Sequence, residues 1–274
     1  MAAAWTASYR ELSERLNLAQ LTRTWDLLVL MTAREIKLRY QGTVLGFLWT
    51  LAKPLLFALV FSFALSYVLR VKAPGDVPYV LFLLSALFPW IWFQSSIQFS
   101  AASFSNNAPL LKKVYFPRFV LPLSAVTSQL FHFVLSIPIL VALLLAWGYV
   151  PGPEWLLGFP LLVAIQFLML AGLVLLVASF NVFLRDLEHL VEVLMTLWLY
   201  LTPILYDLSA VKDRLGPIVY LNPMASLIQA WRDLFLYDQL PGLDIWPALV
   251  FTAIALVAGN VAFRTLEGQF EVAL

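Results

Sequence analysis

FVLPLSAVTSQLFHFVLSIPILVALLLAW, residues 119–147, contains no Asp, Glu, Lys or Arg. About 20 consecutive, mostly apolar residues are enough for an α-helix to cross the hydrocarbon core of a bilayer. The stretch is too long for a single strand, and it lacks the alternation of apolar and polar side chains that a membrane β-barrel requires. It therefore predicts a membrane-spanning helix.

The whole chain has the composition of an integral membrane protein. Of its 274 residues, 62% are hydrophobic and 12% are charged, whereas about 25% of residues are charged in a typical soluble domain. A soluble fold of this length has no interior that could hold so much apolar surface, so lipid must cover part of it. The net charge of +1 leaves no basic surface for nucleic acid. The absence of cysteine excludes disulfides, thiolate metal ligands and cysteine nucleophiles.

Five further apolar runs accompany the first, and together they predict an all-α integral membrane protein with six transmembrane helices. No repeat or soluble domain interrupts them, so residues 1–274 are expected to form one transmembrane domain. The polar first forty residues lack the apolar core of a signal peptide, and no removable signal is expected. The predicted spans cover about 46–69, 78–99, 119–147, 155–183, 190–206 and 245–263.

The distribution of Lys and Arg predicts that both termini are cytoplasmic. With six spans and an inner N-terminus, eleven of these residues lie inside and five lie outside, while Lys53 lies within the first span. Loops rich in Lys and Arg remain on the cytoplasmic side of a membrane. We therefore expect a multi-pass protein of the plasma membrane, which is the inner membrane in a Gram-negative cell.

A segment before the first span has a helical pattern but does not span. Over 22–41, apolar side chains fall on one face, and Arg23, Arg34 and Lys37 fall roughly opposite. This pattern predicts a helix that lies in the cytoplasmic interface of the membrane.

A second non-spanning segment, 208–237, lies between the last two spans. It is broken by Gly-Pro at 216–217, and its second half begins with Asn222 as a helix cap and Pro223 at the first helical position. An apolar stripe follows on one face of that half. The segment predicts a re-entrant helix pair on the outer side, because interrupted backbone survives at membrane depth only when protein or a wet cavity surrounds it.

Two cytoplasmic stretches mix charged and apolar side chains more closely than a solvated loop requires. They are NNAPLLKKVYFPRFVLP, residues 106–122, and NVFLRDLEHLVE, residues 181–192. Such a stretch can insert into a groove on a cytoplasmic protein, where apolar anchors supply affinity and charges fix the register. A solvated turn is the open alternative. The charged residues of interest are Lys112, Lys113, Arg118, Arg185 and Asp186.

The sequence contains no catalytic or nucleotide-binding motif. HExxH, GxSxG and GxxxxGK[ST] are absent, so the chain is not expected to hold a metal ion, hydrolyse ATP or act as an enzyme by itself. His132 is the only ionisable side chain in the third span, where a structural hydrogen bond and a proton relay are both open. Lys53 either extends to the interface or contacts an anionic headgroup.

Five blocks of sequence resemble, in the same order, the permease subunits of polysaccharide ABC exporters. These are the Wzm-type O-antigen permeases and the related TarG-type teichoic acid permeases, and the resemblance covers about residues 24–265. Lys53 departs from it, because such permeases commonly have a neutral polar residue before the proline. The blocks are REIKLRYQGTVLGFLWTLAKPLL, LFPWIWFQSS, NAPLLKKVYFPRFVLPLSAV, NVFLRDLEHLVEVLMTLWLYLTPILY and LNPMASLIQAWRDLF.

The resemblance implies half of a transporter for a lipid-linked polysaccharide. Two permease chains would pair around a channel, and two copies of a separate ATPase subunit would bind beneath them and carry ATP and Mg. No cofactor is expected on this chain. Export of teichoic acid or capsular polysaccharide is the alternative, and an ion-coupled membrane carrier is a more remote one.

The resemblance also implies roles for individual residues. Residues 107–118 would form the first coupling helix, 181–189 the second coupling loop, and 208–237 the gate helices. The residues expected to contact the ATPase are Asn107, Leu110, Leu111, Lys112, Lys113, Tyr115, Phe116, Arg118, Arg185, Asp186, Arg34, Lys37 and Arg39. The expected gate residues are Trp231, Ile228 and Tyr220.

Aromatic residues of the first, second and fifth spans are candidates for the channel lining. A moving sugar chain needs weakly directional contacts, and aromatic faces supply them to sugar C–H groups. The alternative is that these residues form interfacial belts of Trp and Tyr. The candidate channel residues are Trp90, Phe93, Trp92, Tyr67, Tyr200 and Lys53.

Overall fold

The computed structural model describes residues 22–42, 46, 48–68, 70, 73–114, 116–184, 186–208 and 216–273. All regular structure within these residues is helical, which confirms the all-α prediction. Tyr115, Arg185 and residues 209–215 of the predicted gate pair lie outside the described residues.

The helices are numbered here in chain order. They are α1 (22–40), α2 (Leu48–Ser62, continued by a π-helical turn, Phe63–Val68), α3 (Tyr79–Ala101), α4 (Ser103–Asn106), α5 (Ala108–Lys113), α6 (Val120–Ala146), α7 (Trp155–Asn181), α8 (Leu187–Leu201), α9 (Pro223–Tyr237), α10 (Trp246–Leu266) and α11 (Phe270–Ala273). Short 3-10 turns cover Pro74–Asp76, Gly216–Leu221, Leu243–Ile245 and Glu267–Gln269.

Four helical segments of the described chain are long and apolar enough to cross a bilayer. They are Tyr79–Ala101, Val120–Ala146, Trp155–Asn181 and Leu243–Gln269. The first and fifth predicted spans correspond to α2 and α8, which do not reach that length as regular α-helix. With its 15 residues, α8 is about 22 Å long at 1.5 Å per residue, which is shorter than the roughly 30 Å hydrocarbon core. The protein is therefore a multi-pass membrane protein in which these four helices have the length of a full span.

The second predicted span, α3, lies at the centre of the bundle. Its most apolar stretch is 78% buried, against 33–44% for the other three long helices. Its burial follows from its central position, because α3 packs against α2, α6, α7, α8 and α9.

The closest helix pair in the fold is α7 with α10. A Cβ atom on Gly172 would lie 2.3 Å from the backbone carbonyl carbon of Ala255, and one on Gly259 would lie 2.0 Å from the carbonyl oxygen of Gly172. The two backbones can approach this closely only because both glycines lack a side chain, as is common where membrane helices meet.

The bundle has two ends with different construction. At the α9 end, α3 and α7 begin, α8 stops and α9 folds into the main core. At the α5 end, α4, α5, the α7–α8 loop and α11 surround a second, smaller core. Its buried members are Phe104, Leu111, Leu121, Ala178, Val182, Phe263 and Phe270.

Candidate functional site

A partly open cavity of about 900 Å³ lies among α1, α2, α3, α6 and α8. Aromatic rings and the amide or hydroxyl groups of polar side chains share its walls. The aromatic members are Tyr40, Trp49, Phe57, Phe88, Trp90, Trp92, Phe99, Phe133 and Tyr200, and the polar members include Gln94, Ser95, Gln98, Gln129, His132, Ser136 and Thr196.

The amide groups of the cavity are only partly paired. The Trp90 indole N–H donates to Gln94 Oε1 at 2.9 Å. The Nε2 donor of Gln129 is buried and has no acceptor, and burying a polar group without a hydrogen bond costs about 1–3 kcal/mol. A ligand with hydroxyl oxygens would supply the missing acceptor.

Two cations, Arg39 and Lys53, also line the cavity. The Arg39 guanidinium lies 4.0 Å above the Phe99 ring centroid, which is a cation–π contact. Burial lowers the pKa of Arg39, although Tyr40 and Glu35 oppose the shift. Lys53 is exposed, so its ammonium group is available to an anionic group that enters the cavity.

The residues predicted to line a channel fall into two groups. Trp90, Trp92, Tyr200 and Lys53 line the cavity. Phe93 does not line it, and its ring packs edge-on against Trp198 with 5.4 Å between centroids. The side chains of Trp90 and Trp92 are as deeply buried as that of Phe93, whereas Tyr200 is exposed.

Tyr67 lies away from the cavity. Its side chain is 76% exposed on the π-helical turn after α2 and stacks on Phe63. The sequence could not show that Tyr200 lines the cavity and Tyr67 does not, because both are tyrosines near the outer end of a predicted span.

His132 lies in the middle of α6 and lines the same cavity. Its Nε2 atom forms a short hydrogen bond with the Tyr40 hydroxyl, and the two rings meet edge-on at 5.6 Å. The C-terminal end of α1 is therefore attached to the middle of a long helix. This contact matches the structural hydrogen bond that the sequence left open for His132.

At the α9 end, Arg232 is buried and holds the chain that follows α8. Its Nη2 atom donates to the Ile204 carbonyl at 2.6 Å, and Nη1 donates to the Tyr206 carbonyl at 3.5 Å. The Tyr79 hydroxyl donates to the Leu205 carbonyl between them. Side chains from two helices thus bind three consecutive carbonyl groups of the segment that follows Pro203.

Arg232 is one of the five cations counted on the outer side from the sequence, within the predicted re-entrant helix pair, and its burial was missed. The guanidinium lies 3.7 Å above the Phe82 ring centroid. Burial lowers the pKa of Arg232 to about 10, and the negative charge of the nearby Asp207 opposes this decrease. The group therefore stays charged at neutral pH. One signal was available, since Arg232 follows Ile228 by four residues and so lies beside the apolar stripe of α9.

Trp231 and Ile228, two predicted gate residues, are both fully buried. The Trp231 indole donates to Gln166 Oε1 at 2.8 Å, and Gln166 Nε2 donates to the Pro89 carbonyl at 2.8 Å. One amide therefore joins α9 through α7 to α3. The third gate residue, Tyr220, belongs to the Gly216–Leu221 turn, and its side chain is outside the described part.

Asn222 caps α9, as the sequence predicted. Its Oδ1 atom accepts from Met224 N at 3.1 Å and from the Trp198 indole at 2.9 Å. Its Nδ2 atom donates to the Leu201 carbonyl at 3.2 Å and to Thr202 Oγ1 at 3.0 Å. The cap therefore also fastens the end of α8 to the start of α9.

At the α5 end, several residues that were predicted to contact the ATPase are buried or form hydrogen bonds with other parts of this chain. Arg34 Nη1 donates to Asn107 Oδ1 at 2.8 Å, so α1 is joined to the start of α5. Leu111 and Asn107 are buried. Arg118 Nη1 donates to the carbonyl of Glu267 at 2.6 Å, which fastens the segment before α6 to the turn after α10.

The other predicted ATPase-contacting residues keep exposed surface. Leu110 and Phe116 are half-buried, as is Arg39, which faces the cavity. The exposed ones are Lys37, Lys112, Lys113 and Asp186, and Arg34 is exposed outside its bond to Asn107. Apolar side chains of the same region, Val114, Phe183 and Leu184, are exposed beside them. Within the described ranges, no group of three or more His, Asp or Glu side chains could hold a metal ion.

The amino-acid sequence matches a known family of transport proteins. Residues 26–236 match the family described as ABC-2 type transporter. The chain is a member of the ABC-2 transporter family. Permeases of this family are transport components and not enzymes, and they work with an ABC ATPase.

The permease is also similar to individual transport proteins over most of its length. It is 40% identical over 247 residues to the O-antigen export system permease protein RfbA of Klebsiella pneumoniae, which covers 90% of this chain and 94% of the relative. It is 40% identical over 248 residues to the protein of the same name in Myxococcus xanthus, which covers 89% and 93%. A more distant relative, the polysialic acid transport protein KpsM of Escherichia coli, is 23% identical over 247 residues, or 85% and 91%.

Proposed function

We propose that this chain is the permease subunit of an ABC exporter that moves a lipid-linked, O-antigen-like polysaccharide across the plasma membrane. A separate ATPase subunit supplies ATP and Mg, and two permease chains pair with two ATPase chains. The observation that carries this proposal is the 40% identity to O-antigen export permeases over about nine-tenths of both chains. Capsular polysaccharide export is supported only by the distant similarity to KpsM.

The cavity is the part of the fold that suits a polysaccharide. Each sugar unit presents apolar C–H faces and hydroxyl groups, and the walls combine aromatic rings with amides. Tyr200, which is 54% exposed, is the proposed sugar contact, and the buried Trp90 and Trp92 form the wall behind the cavity surface. Phe93 contacts Trp90 with 5.5 Å between ring centroids.

Lys53 and Arg39 are the proposed contacts for the phosphate of the lipid carrier. Both line the cavity, and a phosphate group accepts charge-assisted hydrogen bonds from each type of cation. Lys53 replaces the neutral polar residue expected in this family, which makes the cavity of this permease more basic.

Exposed apolar surface beside the cavity supports the proposal of two copies. Both α2 and α8 contribute residues to the cavity wall and also carry exposed apolar residues. We propose that a second copy faces this side. The residues left for that contact include Leu56, Leu59 and Val60 of α2 and Leu190, Val193, Leu194 and Leu197 of α8.

The proposed topology keeps six membrane segments with both termini cytoplasmic. The segments α2 and α8 cross the membrane beside the polar cavity, where a helix shorter than the bilayer core can still be surrounded by protein and water. The segment before the last span dips inward. Trp231 bonds Gln166, which lies eleven residues beyond Trp155 and so about 16 Å along α7.

The gate is proposed to have a fixed side and a moving side. Hydrogen bonds from Arg232, Trp231 and Asn222 hold α9 to α3, α7, the end of α8 and the segment that follows α8, so α9 forms the fixed side. Leu221 and Ile218 of the preceding turn are exposed, so that turn is the proposed moving side and carries Tyr220. The cytoplasmic surface around Lys112, Lys113, Lys37 and Asp186 is the proposed ATPase contact.

A reconstituted complex tests the proposal. The permease is co-expressed with its ABC ATPase subunit, and the complex is placed in proteoliposomes with lipid-linked O-antigen. We expect ATP-dependent movement of glycan that requires both subunits. Movement without ATP, driven by an ion gradient, would contradict the proposal and favour an ion-coupled carrier.

A further inference from the structure

The C-terminal residues 267–273 lie across the α5 end of the bundle. After α10, the chain turns at Glu267–Gln269 and forms α11, Phe270–Ala273. Phe270 is 1% exposed, which is unusual for a residue so close to the end of the described chain, because terminal segments are ordered only when contacts hold them.

Phe270 contacts the α7–α8 loop and the helix that leads into α5, so it lies beside both segments that are proposed to bind the ATPase. Its ring centroid lies 4.8 Å from that of Phe104, which belongs to α4 immediately before α5. It lies 6.3 Å from that of Phe183, which begins the α7–α8 loop. Leu111 of α5 and Val182 of the same loop belong to the same buried cluster.

A third contact comes from the segment between α5 and α6. Arg118 donates to the Glu267 carbonyl at 2.6 Å, and Phe263 of α10 closes the cluster at 6.1 Å from Phe270. Three separate parts of the chain therefore meet on one short C-terminal segment. Without it, α4–α5 and the α7–α8 loop would lose their shared aromatic contact.

We infer that residues 267–273 form a brace that fixes the spacing of the two ATPase-contacting segments, with Phe270 as its central positioning residue. This inference rests on the proposed function. When the ATPase moves both segments together, the movement is transmitted to the helix bundle. When the two segments move separately, ATP can be hydrolysed without export. Phe270 acts through Phe104 and Phe183, and it contacts neither the ATPase nor the glycan.

The test uses the permease–ATPase complex in proteoliposomes and measures ATP hydrolysis and glycan export together. In F270A we expect ATP consumed per exported chain to rise about fivefold or more, the lower end of the range for coupling between two sites. F270L fills most of the same space and should restore the ratio. F131A is the matched control, because Phe131 is an exposed phenylalanine of α6 that does not line the cavity.

An unchanged ratio in F270A overturns the inference, and so does a proportional loss of hydrolysis and export, which indicates a role in folding alone. If F270A does not reach the membrane, F270I and F270V are compared at equal membrane levels. A ratio that rises as the side chain shrinks supports the brace, and a constant ratio overturns it. Failure of the proposed function is separate, since the wild-type complex would then not assemble or export.

Discussion

The two ends of this permease use their charged groups in opposite ways. At the α9 end, Arg232 is buried and its donors reach backbone carbonyls of its own chain. At the α5 end, an apolar core lies inside, while Lys112 and Lys113 remain exposed. A charge that is buried and hydrogen-bonded fixes an internal arrangement, whereas an exposed cation beside apolar groups is available to a partner.

This difference indicates that the α9 end is held rigid by bonds within its own chain. The polar anchors of α9 have their partners on α3, α7, the end of α8 and the segment that follows α8. The α5 end is held by aromatic contacts and by two arginines, Arg34 and Arg118, that bind a side chain and a carbonyl of distant segments. Its outer surface is left for another molecule. Four sets of variants test this difference, in order of decreasing expected effect.

Replacing Arg232 with Met should have the largest effect. The carbonyls of Ile204 and Tyr206 would lose their donor, and each buried polar group left without a partner costs about 1–3 kcal/mol. For a loss of about 3 kcal/mol we expect Tm in detergent to fall by about 6–12 °C.

The matched control for R232M is R264M. Arg264 is exposed and bonds only Asn260 one turn earlier, so its loss should change Tm by less than about 2 °C. Equal shifts in the two variants would contradict the contrast between the two ends.

The sequence predicted the parts of the fold that depend on local pattern. Length and hydropathy identified α3, α6, α7 and α10, because a run of apolar residues long enough to cross a bilayer has few other structures available. The cap at Asn222 was also predicted, because capping depends on the residue itself and its next neighbours.

The burial of Arg232 could not be predicted in the same way. It depends on the carbonyls of Ile204 and Tyr206, which lie far from Arg232 in the sequence, and on the place where α9 meets α3. The sequence predicted that residues 208–237 re-enter the membrane, but sequence spacing does not show which carbonyl groups a side chain of that segment will meet. Trp231 and Ile228 were placed on the right helix face, but the pattern does not say what covers that face.

The site at the α5 end could be predicted only in outline. An amphipathic stretch such as residues 106–122 indicates that something apolar covers it, and the sequence does not distinguish the chain itself from a partner. Here the chain covers Leu111 and Asn107, while Lys112 and Lys113 remain free for contact. The role of Phe270 was not considered, because a single aromatic residue near the C-terminus has no periodic pattern around it.

Reversing both charges at the α5 end, K112E with K113E, should affect binding and leave folding unchanged. Both lysines are exposed, so Tm should stay within about 2 °C. Affinity for the ATPase should fall about tenfold or more, because like charges would face each other across the contact. Co-purification and binding titration measure the change.

The control for the double charge reversal is R70E, an exposed arginine after α2. It removes a cation elsewhere on the chain and should leave ATPase binding intact. Retention of full ATPase binding in the double variant would show that these lysines do not contact the motor, and equal weakening in R70E would indicate a general effect of net charge.

Substituting Asn222 separates its two functions at the α9 end. N222A removes the cap of α9 and both donors to the end of α8, and we expect a loss of about 1–2 kcal/mol. N222D keeps an oxygen for Met224 N and the Trp198 indole but lacks the amide donors. Its Tm should fall between wild type and N222A. A Tm of N222D equal to that of N222A would assign the whole effect to the bonds with Leu201 and Thr202.

The smallest expected effect compares two tyrosines, Tyr200 and Tyr67. Both are exposed, but Tyr200 lines the cavity and Tyr67 stacks on Phe63 away from it. Removal of one contact between an aromatic ring and a sugar costs on the order of 1 kcal/mol. We therefore expect Y200A to lower the export rate about threefold to tenfold and Y67A to stay within about twofold of wild type. The rates are measured in proteoliposomes at equal amounts of complex. If Y67A slows export as much as Y200A, the path of the glycan follows the outside of α2 and not the cavity, and the function assigned to its aromatic walls is wrong.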